Sequence, residues 1–198
     1  MTERPLAAVV FGARNVGRAV VGERLGAGWG VLALARTEAT LERLRDAHPA
    51  ALRRQGDAAD TAVVRGALAD AEAQIGPVRL VVNAITAAPR GAPFGGGPIA
   101  AADEGALDDW LAGFLPMSWS VLRIAGEVLS RGGGGTIVQV VGGSARRPIP
   151  GRGMWGAAQQ AARALTLSLA QELRPAGVHV ALLVADGVIE TERRPLGD

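Results

Sequence analysis

The sequence predicts an α/β fold, in which a doubly wound sheet of six parallel strands is covered by helices on both faces and forms a three-layer sandwich. Apolar, strand-like runs alternate with segments of helical spacing along the chain, and this alternation indicates parallel strands joined by right-handed crossovers. Runs such as VRLVVNAI are apolar throughout, as expected of strands that are buried on both faces. The 198 residues contain no internal repeat, so we expect one domain over residues 1–198.

The predicted elements follow one another closely, and each has a local reason to begin or end. Gly12 closes the first apolar run, and Gly76-Pro77 ends the third helix because proline cannot continue it. The predicted strands are 6–12, 31–36, part of 51–60, 78–85, part of 130–143 and 177–185. The predicted helices lie within 16–30, 39–48, 61–76, 107–129 and 153–173. Residues 86–105, rich in glycine and proline, are predicted to form a long loop.

Composition argues against several classes of function. There is no cysteine, and His48 and His179 are the only histidines in the sequence, which argues against a metal or redox-thiol site. The sequence pI of about 10.7 is high because all basic residues are arginine; the formal net charge is only +2, and the arginine doublets are scattered. We therefore expect no nucleic-acid binding. No apolar run approaches membrane-spanning length and the N-terminus shows no leader pattern, so we expect a cytoplasmic protein without membrane contact.

The segment FGARNVGRA between the first strand and the first helix is typical of a dinucleotide-binding, Rossmann-like fold. It fits G-x-G-x-x-G as Gly12, Arg14 and Gly17, with arginine at the second position, and the intervening Asn15 and Val16 belong to the same phosphate loop. A side chain then stands where backbone approaches phosphate in such loops, although arginine offers charge and donors in exchange. The loop therefore leaves two expectations open: that it binds a dinucleotide, or that Arg14 has disabled it.

The end of the second strand indicates which dinucleotide is expected. A site for NAD usually places an acidic residue on the ribose 2′-hydroxyl, whereas here Ala35 is followed by Arg36. We therefore expect NADP(H), or no cofactor if the loop is disabled. The alternative interpretation is that Arg36 is a solvated arginine at a strand end.

Further motifs carry a resemblance to a known family. They are ALARTEATLERL, GDAAD, VVNAI and, most specifically, GGTIVQVVGGSARRPIPGRGMWGAAQQAARALTLSLAQEL. With these, the chain resembles the short-chain dehydrogenase/reductase family over residues 6–191. The resemblance implies that Asp57 meets the adenine, that Asn83 and Ala84 border the cofactor, and that Thr191, or Glu190 one residue earlier, meets the nicotinamide carboxamide. It also implies a homodimer or homotetramer formed through the helices near 107–129 and 153–173.

The same resemblance places the family's catalytic serine, tyrosine and lysine at Gly142, Trp155 and Gln159. Its helix-four asparagine falls near Met117. The sequence contains no tyrosine and no lysine, so a shifted alignment does not restore the family mechanism. Ser144, as a substitute hydroxyl, and Asp186, as a substitute acid, are the other candidate catalytic residues.

Three functions remain open at this stage. The first, which is favoured, is a redirected small-molecule enzyme with non-redox chemistry, such as an isomerase, cyclase or lyase. The second is a catalytically silent NADP(H)-binding sensor or scaffold partner, and the third is an unorthodox NADPH-dependent reductase. For the first, the side chains that could line the pocket are those of Met117, Phe94, Trp155 and Trp119, with Arg90, Arg146, Asp186 and Glu190 near its mouth; for Trp119, packing is the favoured interpretation.

Overall fold

A computed structural model describes residues 4–187 and 189 of the chain. Within them, six parallel strands form one sheet in the order β3-β2-β1-β4-β5-β6, which confirms the predicted fold class. The strands are β1 Ala7–Phe11, β2 Gly30–Ala35, β3 Leu52–Gln55, β4 Val78–Asn83, β5 Gly135–Gly142 and β6 Val178–Ala185. The helices are α1 Val16–Gly26, α2 Glu38–Ala47, α3 Thr61–Gln74, α4 Ala106–Arg131 and α5 Gly153–Leu173.

The helices divide between the two faces of the sheet, as expected of a doubly wound fold. Helices α3 and α4 bury their apolar faces against one side, in a core that includes Phe11, Val81 and Ile137, and α5 packs against the same core. Helices α1 and α2 cover the other side through a core that includes Val10 and Val140. No helix in the described part of the chain is both long enough and apolar enough to cross a membrane.

The element boundaries agree closely with the sequence pattern. Helix α5 has the predicted bounds, and α4 extends the predicted 107–129 by one residue at its start and two at its end. The loop over residues 86–105 contains two short 3-10 turns, Phe94–Gly96 and Ile99–Ala101, and is otherwise irregular.

The interpretation of Trp119 as a packing residue was wrong. Its residue is 51% exposed, because it lies on the outer side of α4, while its neighbours Ser118 and Ser120 face inward and are fully buried. Helical spacing alone does not determine which side of a largely apolar helix meets the sheet.

The first turn of α1 packs directly on the end of β1. A side chain on Gly17 would overlap the carbonyl oxygen of Gly12, so the helix approaches the strand more closely than any other residue allows. Gly26, the last residue of the same helix, has open space around it.

We expect Gly17→Ala to lower the free energy of unfolding by about 3 kcal/mol, because the added methyl group forces α1 away from the sheet. Gly26→Ala, the matched control, should be neutral or stabilise by up to about 1 kcal/mol. Urea unfolding of both variants measures the two values. Equal stability of the two variants would contradict the close packing at Gly17.

Candidate functional site

A cleft of about 260 Å³ opens at the carboxyl ends of the strands, where β1 and β4 lie side by side but their following segments diverge. Doubly wound proteins bind ligands at this switch point. The cleft is lined from every central strand end and from α4, by Gly12, Ala13, Arg14, Asn15, Val16, Leu34, Ala35, Arg36, Thr37, Thr40, Ala58, Ala84, Ile85, Thr86, Met117, Val140, Val141, Gly142, Ala185 and Ile189.

The loop after β1 adopts a backbone conformation that requires glycine at its first position. Gly12 has φ +92°, and a Cβ there would lie 2.8 Å from the carbonyl carbon of Ala84 and the amide nitrogen of Ile85. Any side chain would therefore push the β4 exit away and widen the cleft.

The loop's second residue with positive φ is Asn15 and not Arg14. Asn15, at φ 44° and ψ −113°, is the only residue other than glycine with positive φ in the described part of the chain. The spacing Gly12–Arg14–Gly17 did not indicate this conformation. The side chain of Arg14 is left exposed at the cleft wall.

Two arginines and two threonines form the end of the cleft beside β2. Neither guanidinium, of Arg14 or of Arg36, makes a hydrogen bond or ion pair with another described residue. Sequence reasoning missed Thr37 and Thr40, although hydroxyls three residues apart directly after Arg36 were visible in the sequence. This end therefore offers side-chain hydrogen-bond donors and positive charge.

Asp57 lies near this end but not on the cleft wall. Its carboxylate accepts the backbone N–H of Ala59 at 2.9 Å, which closes a turn, and its neighbour Ala58 lines the cleft instead. Asp60 caps α3 in a similar way by accepting the N–H of Ala62 at 2.7 Å. Both carboxylates thus stabilise the local turn after β3.

Asn83 is buried behind the cleft wall, whereas Ala84 is part of that wall. The fully buried Asn83 amide donates to Oε1 of Gln139 at 2.9 Å, and its own oxygen accepts the N–H of Ile85 at 3.3 Å. Gln139 in turn donates to the carbonyl of Val140 at 3.0 Å. This amide chain ties the ends of β4 and β5 together below two cleft-lining residues.

The structure brings Gly142, Trp155 and Gln159 together at the other end of the cleft. The backbone N–H of Gly142 donates to Oε1 of Gln159, whose residue is 1% exposed. A Cβ on Gly142 would lie 3.3 Å from that oxygen and 3.9 Å from Nε1 of Trp155. The three positions that the resemblance aligned are therefore neighbours in space.

Trp155 is held in an aromatic cluster between α4 and α5. Its ring meets the rings of Trp110 and Phe114 edge-on, with centroid distances of 5.4 Å in both cases. The indole N–H of Trp155 has no hydrogen-bond acceptor among the residues that the structure describes. Trp155 is half-buried and is not part of the cleft wall.

The long loop packs against the start of α5 beside this cluster. Gly97 donates its N–H to the carbonyl of Gly151 at 3.0 Å, and a Cβ on Gly96 would lie 3.1 Å from Nε1 of Trp110. Phe94 is 79% exposed and lies under the guanidinium of Arg152 at 4.7 Å. Of the four side chains expected to line a pocket, only Met117 lies on the cleft wall; Phe94, Trp119 and Trp155 do not.

Ser144 and Asp186 lie just beyond Gly142. Ser144 sits in a short 3-10 turn, Gly143–Ala145, is 3% exposed, and accepts at its carbonyl from Nε2 of Gln160 at 3.5 Å. The Asp186 carboxylate packs against Gly143, where any side chain would collide with it, and pairs with Arg147 at 3.1 Å. A carboxylate therefore lies against Gly143, the residue that follows the position to which the resemblance assigned the catalytic serine.

Three further observations complete the site. Thr191 and its alternative Glu190 lie outside the described residues. Ile189, which is described, lines the cleft and is 41% exposed. The described residues contain no group of three or more histidine, cysteine, aspartate or glutamate side chains arranged to hold a metal ion.

Comparison with solved structures supports the same fold. A short-chain dehydrogenase from Streptomyces avermitilis is 24% identical, with a TM-score of 0.78 over 98% of this chain and 69% of that one. Sorbitol-6-phosphate 2-dehydrogenase from Erwinia amylovora is 25% identical, with a TM-score of 0.75 over 89% of this chain and 70% of that one. ElxO with NADP bound is 15% identical, with a TM-score of 0.79 over 93% and 74%.

Sequence comparison identifies the family. Among curated protein sequences, none matches this chain at a significant level. The family model described as short chain dehydrogenase matches residues 6–195. Because that match spans nearly the whole chain and agrees with the strand order and the position of the cleft, the protein belongs to the short-chain dehydrogenase family.

Proposed function

We propose that this protein binds NADP(H) in the cleft without catalysing hydride transfer, and that it acts as a sensor of the dinucleotide or as the inactive partner of an active relative. The observation that carries the proposal is the contrast between the two ends of the cleft. The phosphate loop and the arginine end keep the features that a dinucleotide needs. The catalytic positions are occupied by neutral side chains that are engaged in packing and in a structural hydrogen bond.

The residues of the cleft fit the dinucleotide. Gly12, Asn15 and Val16 place the N-terminus of α1 on the cleft wall, and no side chain caps it, so the positive end of the helix dipole is open to an anion such as a pyrophosphate. Val140 and Ile85 supply apolar wall for a planar ring. NADP(H) is the better fit than NAD(H), because Arg14 and Arg36 face the cleft and no carboxylate lines its described part. Bound NADPH would supply a hydride donor, and under this proposal the protein does not use it.

The catalytic end lacks a proton donor of the family's type. Reduction of a carbonyl needs an acid at the developing alkoxide, and such assistance is typically worth about 10²–10⁴-fold in rate. The indole N–H of Trp155 does not titrate usefully, and the Gln159 amide carries no charge. Because Oε1 of Gln159 accepts from Gly142, this amide holds the end of β5 against α5.

The redirected, non-redox enzyme is the second candidate, and two observations favour it. The Asp186 carboxylate lies against Gly143 and the indole N–H of Trp155 lies near Gly142, so an acceptor and a donor are present just beyond the end of the cleft. The unorthodox reductase would take its proton from Asp186 or from water. A reaction that depends on Asp186 would distinguish either alternative from the silent binder.

Association of two or four copies through α4 and α5 belongs to the same proposal. Trp119 on α4 and Leu167 on α5 are 51% and 40% exposed, although both are large and apolar. Side chains of this kind at the surface of a helix pair favour a protein partner.

We expect NADPH to bind saturably and to quench tryptophan fluorescence, with an affinity at least about tenfold higher than that of NADH because of its additional charge-assisted hydrogen bonds. Trp155→Phe should remove more of the quenching than Trp119→Phe, because Trp155 lies nearer the cleft. Fluorescence titration of the three proteins measures both effects. Failure of both nucleotides to bind at millimolar concentration would disprove the proposal.

We expect Gln159→Leu to lower the free energy of unfolding by about 1–3 kcal/mol, because Gly142 then loses the acceptor of its N–H. Gln171→Leu, an exposed glutamine on the same helix whose side chain bonds to no other described residue, should change it by no more than about 0.5 kcal/mol. Urea unfolding provides the measurement. A Gln159→Leu protein as stable as the wild type would mean that the amide is free for another role.

We expect the wild-type protein to leave NADPH unoxidised in the presence of a panel of aldehydes and ketones, because no acid serves the alkoxide. Absorbance of NADPH over hours measures consumption, and Asp186→Asn is the matched variant. Consumption that depends on Asp186 would establish the unorthodox reductase instead. Substrate conversion without net NADPH oxidation, again dependent on Asp186, would establish the redirected enzyme.

A further inference from the structure

Two threonine hydroxyls bond to each other at the arginine end of the cleft. Oγ1 of Thr37 and Oγ1 of Thr40 are 2.9 Å apart, and both residues line the cleft. Thr37 occupies the N-cap position of α2, yet its hydroxyl caps no helical N–H. The hydroxyl of Thr37 bonds to the hydroxyl of Thr40 instead.

Arg43 and the burial of Thr40 together favour one direction for this bond. The guanidinium of Arg43, one turn along α2, donates to Oγ1 of Thr40 at 3.4 Å, and a guanidinium has no acceptor atom. Thr40 is 7% exposed, so its own O–H needs an acceptor, and Oγ1 of Thr37 lies within hydrogen-bond distance. Donation from Thr40 to Thr37 leaves the exposed Thr37 hydroxyl its proton for another acceptor.

The geometry points to a hydrogen-bond relay, from Arg43 through Thr40 to Thr37, that presents an oriented O–H donor to the phosphate on the ribose 2′-carbon of NADP(H). This inference rests on the proposed NADP(H) site and adds Thr37 as a contact and Arg43 as a positioning residue that acts through Thr40.

The chemistry of this end favours a phosphate over a ribose hydroxyl. A phosphate accepts hydrogen bonds, whereas a 2′-hydroxyl needs an acceptor such as a carboxylate. No carboxylate lines the described part of the cleft; Glu38, in the first turn of α2, is exposed and lies off the cleft wall. The side-chain groups at this end are the guanidinium groups of Arg14 and Arg36 and the relay hydroxyls.

Adenosine 2′,5′-bisphosphate and adenosine 5′-monophosphate isolate this end from the nicotinamide end, and their affinities can be measured by calorimetry. We expect Arg43→Met and Thr37→Val each to weaken the bisphosphate roughly 3- to 10-fold and the monophosphate less than about 2-fold, the effect of one hydrogen bond. Arg43→Lys should restore part of the loss, because lysine donates a hydrogen bond and methionine does not. Arg45→Met removes the same charge from the same helix, where Arg45 pairs with Asp46 at 3.6 Å, and is the matched control.

The double variant Arg43→Met with Thr37→Val separates a relay from two independent contacts. In a relay it should weaken the bisphosphate little more than Thr37→Val alone, since both changes remove the same donor to the phosphate. Equal losses for Arg43→Met and Arg45→Met, or equal losses for the two nucleotides, would overturn the relay while leaving the NADP(H) site in place. Failure of the wild-type protein to bind the bisphosphate or NADPH would overturn the proposed site, and the relay with it.

Discussion

The contact between the loop after β1 and the end of β4 is the constraint on which the cleft depends. Gly12 brings its backbone against Ala84 and Ile85, and Gly17 brings α1 against the Gly12 carbonyl. Neither approach is compatible with a side chain, so two missing Cβ atoms set the width of the cleft and the direction of the first helix. Asn15 completes the turn between them with positive φ. The rest of the site is arranged around this junction.

Neutral amides join β4, β5 and α5 beside the cleft. Asn83 and Gln139 join the ends of β4 and β5, and Gln159 joins the end of β5 to α5. These side chains are nearly or fully buried, and an amide satisfies its bonding there without the cost of burying a charge. At Gln159 this amide stands where the resemblance places the family's lysine, so the side chain that joins β5 to α5 also leaves that position without a charge.

Charge is distributed unevenly along the cleft. Arginines and hydroxyls lie at the β2 end, apolar side chains form the middle, and Asp186 with Arg147 lies at the far end beside Gly143. A ligand that carries a phosphate at one end and an uncharged ring at the other matches this order. The long loop packs beside Trp110 and the start of α5 near the far end.

The sequence by itself determined the alternation of strands and helices, the bounds of α5 and the absence of tyrosine and lysine, because these follow from local periodicity and composition. It also predicted the neighbours Gly142, Trp155 and Gln159 through the family resemblance. Only the tertiary structure decided that Trp119 faces outward, that Gln159 bonds to Gly142, and that Trp155 packs against two other rings. The Thr37–Thr40 bond is local in sequence, but only the structure shows that both residues line the cleft. Such features depend on how segments distant in sequence approach one another, and no local pattern encodes that distance.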